Sequence, residues 1–203
     1  MSEYKVVNPA NGETVKEYPT ATDDQIKDAL ERSHKEYASW KTTPVEQRVE
    51  ILRKVAAIYR ERSEELAKII QTEMGKVIPA GQGEVEISAR IYEYYADNAK
   101  AFIEEEKLRG ANDGDAYLLR KPTGSILGIM PWNFPYYQVA RFAAPNLALG
   151  NTILLKHAPQ CPWSAEVMEQ IFQEAGLPAD AYINIYATVS YTHLRAHETL
   201  RYL

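Results

Sequence analysis

Asn133 stands in the run Pro131-Trp132-Asn133-Phe134-Pro135, directly after an apolar stretch that ends at Met130. It carries the only side-chain amide in that run, and the two prolines stiffen the backbone around it. A strand ending at Met130 and a helix opening at Pro135 put these residues at the carboxyl edge of a sheet. Open α/β sheets bind their ligands at that edge. A preorganised amide donor there suits an oxyanion that develops during a reaction. The alternative is that Asn133 simply caps the helix that follows. His193 and His197 are four residues apart with Glu198 behind them, which is the wrong order for His-Glu-x-x-His zinc chemistry. No third ligand accompanies them, so no metal site is expected.

The elements that would position Asn133 follow from the pattern of the chain. "YKVVNPANGETVKEYP" reads as two short strands around an Asn-Gly turn. Thr22 is placed to cap a helix with Ile26, Ala29, Leu30, Ser33, Tyr37 and Trp40 along one face. Thr43, Pro44 and Glu46 have the spacing of a capping box opening one helix that runs to Gly75. A third helix is predicted over Val85 to Phe102, with Tyr92, Tyr95 and Ala99 inward. Turn residues at 112–114 and 122–124 flank two β-rich runs, Ala116–Arg120 and Ser125–Met130. Then come a helix over Pro135–Leu149 closed by Gly150, a buried strand over 151–156, a helix over Ser164–Ala175 ended by Gly176, and a strand over 181–187. Strand, helix of about a dozen residues, strand is the pattern of a parallel sheet.

The 203 residues are 45% hydrophobic and 25% charged, ordinary for a soluble globular protein. A net charge of −5 without a long basic run argues against nucleic acid as a partner. A single cysteine excludes an internal disulfide framework and fits a reducing compartment. The polar, acidic N-terminus does not have the form of a signal peptide, and no apolar run approaches the ~20 residues that span a bilayer. A cytoplasmic protein without membrane partners is the expectation.

"GIMPWNFP", "AAPNLALGNTILLKHAP" and "AGLPADAYINI" resemble the aldehyde dehydrogenase superfamily, and "NPANGE", "EMGK" and "RKPTGSILGIMPWNFP" fit the same pattern. The resemblance covers roughly residues 4–187 and is strongest to succinate-semialdehyde dehydrogenases. It implies an α/β, aldehyde dehydrogenase-like fold: a helical N-terminal segment plus a partial, truncated, parallel Rossmann-like sheet. Residues 1–108 would supply N-terminal strands and helices of the cofactor-binding domain, and 109–127 an oligomerisation-type hairpin. Residues 128–187 would start the dinucleotide-binding sheet.

The resemblance also assigns roles. Asn133 would donate to the oxyanion of the thiohemiacetal. Ile129, Met130, Pro131 and Trp132 would line the cofactor channel, and Lys156 would hydrogen-bond the adenosine ribose. Arg141 would bind the distal carboxylate of succinate semialdehyde, a task its planar fork suits; the alternative is a structural ion pair. NAD-preferring members carry Glu three residues after the lysine, where this chain has Pro159. Without that carboxylate a 2′-phosphate is not repelled, so NADP is expected to be accepted at least as well as NAD.

The family's nucleophilic Cys, general-base Glu and Gly-x-Thr-x-x-Gly turn have no match in these residues. Cys161, between Gln160 and Pro162, reads instead as a small buried thiol. The resemblance therefore implies an NAD(P)-dependent aldehyde-oxidising parent, a homo-oligomer with a small aldehyde substrate, and a fragment inactive alone. Residues 188–203, ending "SYTHLRAHETLRYL", resemble translated sequencing-adapter DNA and are read as a non-native tail. A sheet cut after two or three strands would leave an unpaired apolar edge, so aggregation is expected of the isolated chain. The competing reading is a short, non-catalytic protein that binds a nucleotide or a partner.

Overall fold

The computed structural model describes residues 3–108 and 114–188. The first strands, β1 (Tyr4–Val7) and β2 (Thr14–Tyr18), form an antiparallel hairpin around the Asn-Gly turn. Four helices follow: α1 (Asp23–Trp40), α2 (Val45–Glu61), α3 (Ser63–Met74) and α4 (Ile78–Ile103). A second antiparallel pair joins β3 (Glu106–Leu108) to β4 (Ala116–Leu118). The remainder alternates as β5 (Ser125–Ile129), α5 (Pro135–Leu149), β6 (Thr152–Lys156), α6 (Pro162–Glu174) and β7 (Tyr182–Asn184). β5, β6 and β7 lie side by side in that order, all parallel, with Leu127 opposite Leu154 and Leu154 opposite Ile183. Among the described residues no helix is long and apolar enough to cross a membrane.

Every residue of β6 is buried because both faces of the sheet are covered. Side chains alternate along a strand, so Leu154 packs with Ala29 of α1 and Ile183 on one face. Ile153, Leu155 and Tyr182 point the other way, into the main core with α2, α4, α5 and α6. Tyr59, Tyr92, Tyr136, Tyr182 and Phe172 fill its centre, with neighbouring ring centroids 4.4–5.9 Å apart. α1 is tied to the sheet by hydroxyls. Ser33 Oγ lies 2.6 Å from Ser125 Oγ and donates to Thr152 Oγ1 at 3.1 Å.

Thr22 caps α1 through a reciprocal capping box with Gln25. Gly75 and Gly150 end α3 and α5 in the left-handed conformation, at φ 76° and 107°. Other expectations need correcting. The box at Thr43 and Glu46 does not form: Pro44 is the cap residue, and no side chain bonds to it. The single helix to Gly75 is two helices that meet at Arg62. Tyr59 and Leu66 are seven residues apart, two helical turns, so the apolar period passes through the break without a mark. The break lets α2 and α3 each lay an apolar face on α4.

α4 starts at Ile78, seven residues before the predicted start, in a turn containing Gly81 and Gly83. Gly81 is a packing residue: a Cβ there would lie 3.1 Å from Ala67 Cβ and 3.2 Å from Ile70 Cδ1. β3 has no counterpart in the sequence reading. The Ser125–Met130 run, taken up to 127 with the hairpin, forms β5 of the parallel sheet instead. The strand over 181–187 extends only to Asn184: Ile185 N makes one more bond to β6, at Leu155 O, and the backbone after it turns to the N-terminal segment. Tyr186 O accepts from Ala21 N at 2.9 Å, and Ala187 O accepts from Tyr4 Oη at 2.7 Å. The turn residues at 112 and 113, and the tail with His193, His197 and Glu198, lie outside the described residues.

Candidate active site

The carboxyl edge of the parallel sheet is built from β5, β6 and the loop between Met130 and α5. Ile129 stands in register with Lys156, and Met130 N donates to Lys156 O at 3.0 Å, extending the ladder by one bond. Pro131 cannot donate and ends it. Trp132, Asn133 and Phe134 are then presented to solvent, Trp132 half exposed.

Asn133 does not cap α5. The cap residue is Phe134, and none of its side-chain atoms bonds the helix. The cap comes from a different element. Glu84 of α4 is fully buried, and its Oε1 accepts from Tyr136 N at 2.9 Å and Tyr137 N at 3.2 Å. A carboxylate there satisfies orphan N–H groups and complements the positive end of the helix. Its second oxygen pairs with Lys76 Nζ. Lys76 also donates to Asn133 O at 3.0 Å and sits 3.8 Å from the centroid of the Phe134 ring, a cation–π contact. The loop is thus tied to β6 at Met130 and held by Lys76 at Asn133 and by Glu84 at the start of α5, leaving the Asn133 side chain at the surface.

Glu73 does the same for α6. It is buried and accepts from Ser164 N at 3.1 Å and from Trp163 N. Burial pushes its carboxyl up to about 8, against the opposing pull of its hydrogen bonds to Ser164 and Trp163. Sequence reasoning noted "EMGK" only as a resemblance and gave Glu73, Lys76 and Glu84 no role. A signal existed for Glu84: it lies on the inward stripe of α4 with Gly81, Val85, Ser88 and Tyr92, an acid where the period demands an apolar residue.

Lys156 is buried at the end of β6. Its Nζ lies 3.5 Å from His157 O and 5.6 Å from the Tyr4 ring centroid, and it makes no ion pair among the described residues. Burial holds its ammonium below the usual lysine range, with the charge of Glu3 opposing. His157 is structural. Its Nδ1 accepts from Ala158 N at 2.8 Å, which leaves the proton on Nε2, 3.3 Å from Pro135 O. Burial lowers its pKa to about 4, so the ring is neutral.

Arg141 is exposed on α5, over the Tyr137 ring at 5.3 Å. It pairs with no acid among the described residues, so the structural ion pair is not made. With Tyr137, Ile87, Ile91, Tyr94 and Arg90 it lines a cleft of about 440 Å³ between α4 and α5. The Phe134 ring lies 6.0 Å from that of Tyr137. Cys161 is buried, with Sγ 3.8 Å from Trp132 O, and burial pushes its thiol far up. It is a packing residue of the loop. No group of three or more His, Cys, Asp or Glu among the described residues could hold a metal ion.

The aldehyde dehydrogenase family model matches residues 1–201. The chain is 43% identical over 187 residues to the NADP(+) succinate-semialdehyde dehydrogenase of Deinococcus radiodurans, covering 92% of this chain and 39% of that protein. It is 40% identical to the NAD(P)+ succinate semialdehyde dehydrogenase of Escherichia coli K12, covering 87% of this chain and 38% of that one. Among solved structures, the succinic semialdehyde dehydrogenase of Streptococcus pyogenes in complex with NADP+ superposes with a TM-score of 0.91 at 38% identity. That match covers 95% of this chain and 42% of its counterpart. The chain therefore spans about two-fifths of the length of the relatives it matches. A sheet edge of this build, in a chain matched along nearly its whole length, belongs to the aldehyde dehydrogenase family.

Proposed function

We propose that this chain forms the oxyanion-binding and cofactor-binding part of an NAD(P)-dependent aldehyde dehydrogenase that oxidises succinate semialdehyde to its dicarboxylic acid. The observation that carries the proposal is one sheet edge holding both Asn133, on a loop tied at each end, and Lys156, a buried ammonium without an ion-pair partner among the described residues. An ammonium desolvated in this way gains from a phosphate or from ribose hydroxyls. Lys156 fits the adenosine ribose, and with Pro159 where a carboxylate would repel it, a 2′-phosphate as well. Ile129, Met130, Pro131 and Trp132 line the cofactor channel. The bound dinucleotide supplies the hydride acceptor.

The residues of this chain do the positioning. The Asn133 amide donates to the oxygen on which charge develops as the substrate carbonyl is attacked. Arg141, at the cleft between α4 and α5, binds the distal carboxylate, and the apolar walls from Ile87, Ile91 and Tyr137 exclude water around the chain between the two ends. The buried Cys161 is no nucleophile, and these 203 residues contain no other cysteine, so the chain alone binds without turning over aldehyde. Exposed Leu108, Tyr117 and Leu118 on the β3–β4 hairpin support a homo-oligomeric enzyme. The absence of disulfides supports a cytoplasmic one.

The test is steady-state kinetics on the full-length enzyme with succinate semialdehyde and each cofactor. NADP is expected to serve at least as well as NAD. A preference for NAD of about tenfold overturns the cofactor assignment. No aldehyde-dependent reduction of either cofactor overturns the catalytic reading and leaves a nucleotide- or partner-binding protein.

A further inference from the structure

We infer that Lys76 and Glu84 are positioning residues for Asn133: a buried ion pair that sets where the oxyanion donor stands. The inference rests on the reading of Asn133 given above. Asn133 makes no hydrogen bond through its side chain to any described residue, so its amide has no direct partner to aim it. Its placement must come from its backbone, and the backbone is held from one direction. Lys76 Nζ donates to the Asn133 carbonyl, while the adjacent Phe134 ring lies under the same ammonium.

Lys76 is itself placed by two devices. Gly75, in the left-handed conformation, turns the chain out of α3 immediately before it, and Pro9 packs where a Cβ would stand, at 3.1 Å. Glu84, fully buried, holds the ammonium through one carboxylate oxygen and the first free N–H groups of α5 through the other. One carboxylate therefore locks the beginning of α5 to the same ammonium that holds Asn133. The five-residue loop is closed between them. Neither partner can be removed without leaving the other uncompensated in a buried site.

Charge position matters here because a donor misplaced by about 1 Å loses much of its effect on a developing oxyanion. The Lys76 ammonium is taken up by Glu84, the Asn133 carbonyl and the Phe134 ring. It acts through Asn133.

The experiment is a double-mutant cycle in the full-length enzyme, with Lys76→Met, Asn133→Ala and the double variant, and with Lys76→Arg and Glu84→Gln alongside. Asn133→Ala alone is expected to lower kcat by about a hundredfold. Lys76→Met is expected to lower kcat by about tenfold in the parent enzyme, and by less than about threefold when Asn133 is already Ala. Lys76→Arg, which keeps the charge opposite Glu84, recovers part of the loss. A full multiplicative loss in the double variant, or a Lys76→Met enzyme with parental kcat, overturns the inference while leaving the functional reading intact. A parent enzyme that oxidises no aldehyde overturns both. If Lys76→Met does not fold because Glu84 is left unpaired, Lys76→Arg with and without Asn133→Ala decides: a change in kcat that is smaller once Asn133 is replaced supports the inference, and an equal or absent change overturns it.

Discussion

His157 ties the end of β6 to the start of α5, and its environment makes a pH-dependent prediction with a definite sign. The ring is completely buried, Nδ1 accepts from Ala158 N, and Nε2 faces Pro135 O. A second proton would have to sit on Nδ1, against the Ala158 N–H that now points at it. Burial is the main cause of the fall in its pKa from 6.5 to about 4, with the charge of Lys156 helping and the Pro135 hydrogen bond opposing. Between these two values the unfolded chain binds a proton that the folded chain refuses. Stability is therefore lost as pH falls through that window, by about 3 kcal/mol when complete. The perturbation is His157→Gln, which cannot titrate. At neutral pH the variant should be less stable by about 1–2 kcal/mol, having exchanged two well-aligned bonds for poorer ones. The gap should close and then invert as pH approaches 4. Urea unfolding of both proteins at several pH values measures the gap, and all other titrating groups cancel in it. A gap that stays constant from pH 7 to pH 4, or an imidazole of His157 that titrates near its ordinary value by NMR, refutes the reasoning.

Glu73 carries the opposite sign. Its carboxyl, raised to about 8, contributes stability that is complete below its unfolded value of 4.5 and is lost as pH rises through 8. Glu73→Gln should flatten that loss, with melting temperatures of parent and variant converging from pH 5 to pH 8; parallel profiles would show that Glu73 is ionised throughout. Gly128→Ala places a Cβ 2.6 Å from Phe142 Cε1 and should destabilise by about 1–3 kcal/mol, because α5 must shift on β5; chemical denaturation reads the cost. Arg141→Ala should raise KM for succinate semialdehyde by at least about tenfold while leaving a neutral aldehyde nearly unaffected. An equal loss for both aldehydes would remove the carboxylate role. Lys156→Met should weaken NADP more than NAD in equilibrium titrations of the full-length enzyme, by about tenfold or more if the ammonium meets a 2′-phosphate.

The elements whose signals are local were legible before any coordinates. Thr22 before an amphipathic run announced the start of α1, and Gly150 announced the end of α5. A short continuous apolar run between Gly150 and the next turn located β6. Asn133 stood out because prolines flank it. By contrast, β3 has no alternation to reveal it, and the break at Arg62 falls where the apolar period happens to continue. The choice between cap and free donor at Asn133 was also closed to sequence reasoning. It turned on Glu84, about fifty residues away, which occupies the cap that Asn133 would otherwise have supplied.

What the amino-acid sequence determined by itself is the order of helices and strands apart from β3 and the break between α2 and α3, the parallel character of the sheet, and the residue types gathered at its carboxyl edge. These depend on periodicity, turn chemistry and capping, which act over a few residues. The tertiary structure alone decided which charges meet. Lys76 with Asn133, Glu84 with the start of α5, Glu73 with the start of α6, and His157 with Pro135 are all contacts made across packed elements. Whether a buried carboxylate or imidazole is compensated is a property of the site it is packed into. No window of sequence contains both partners and the core that forces them together.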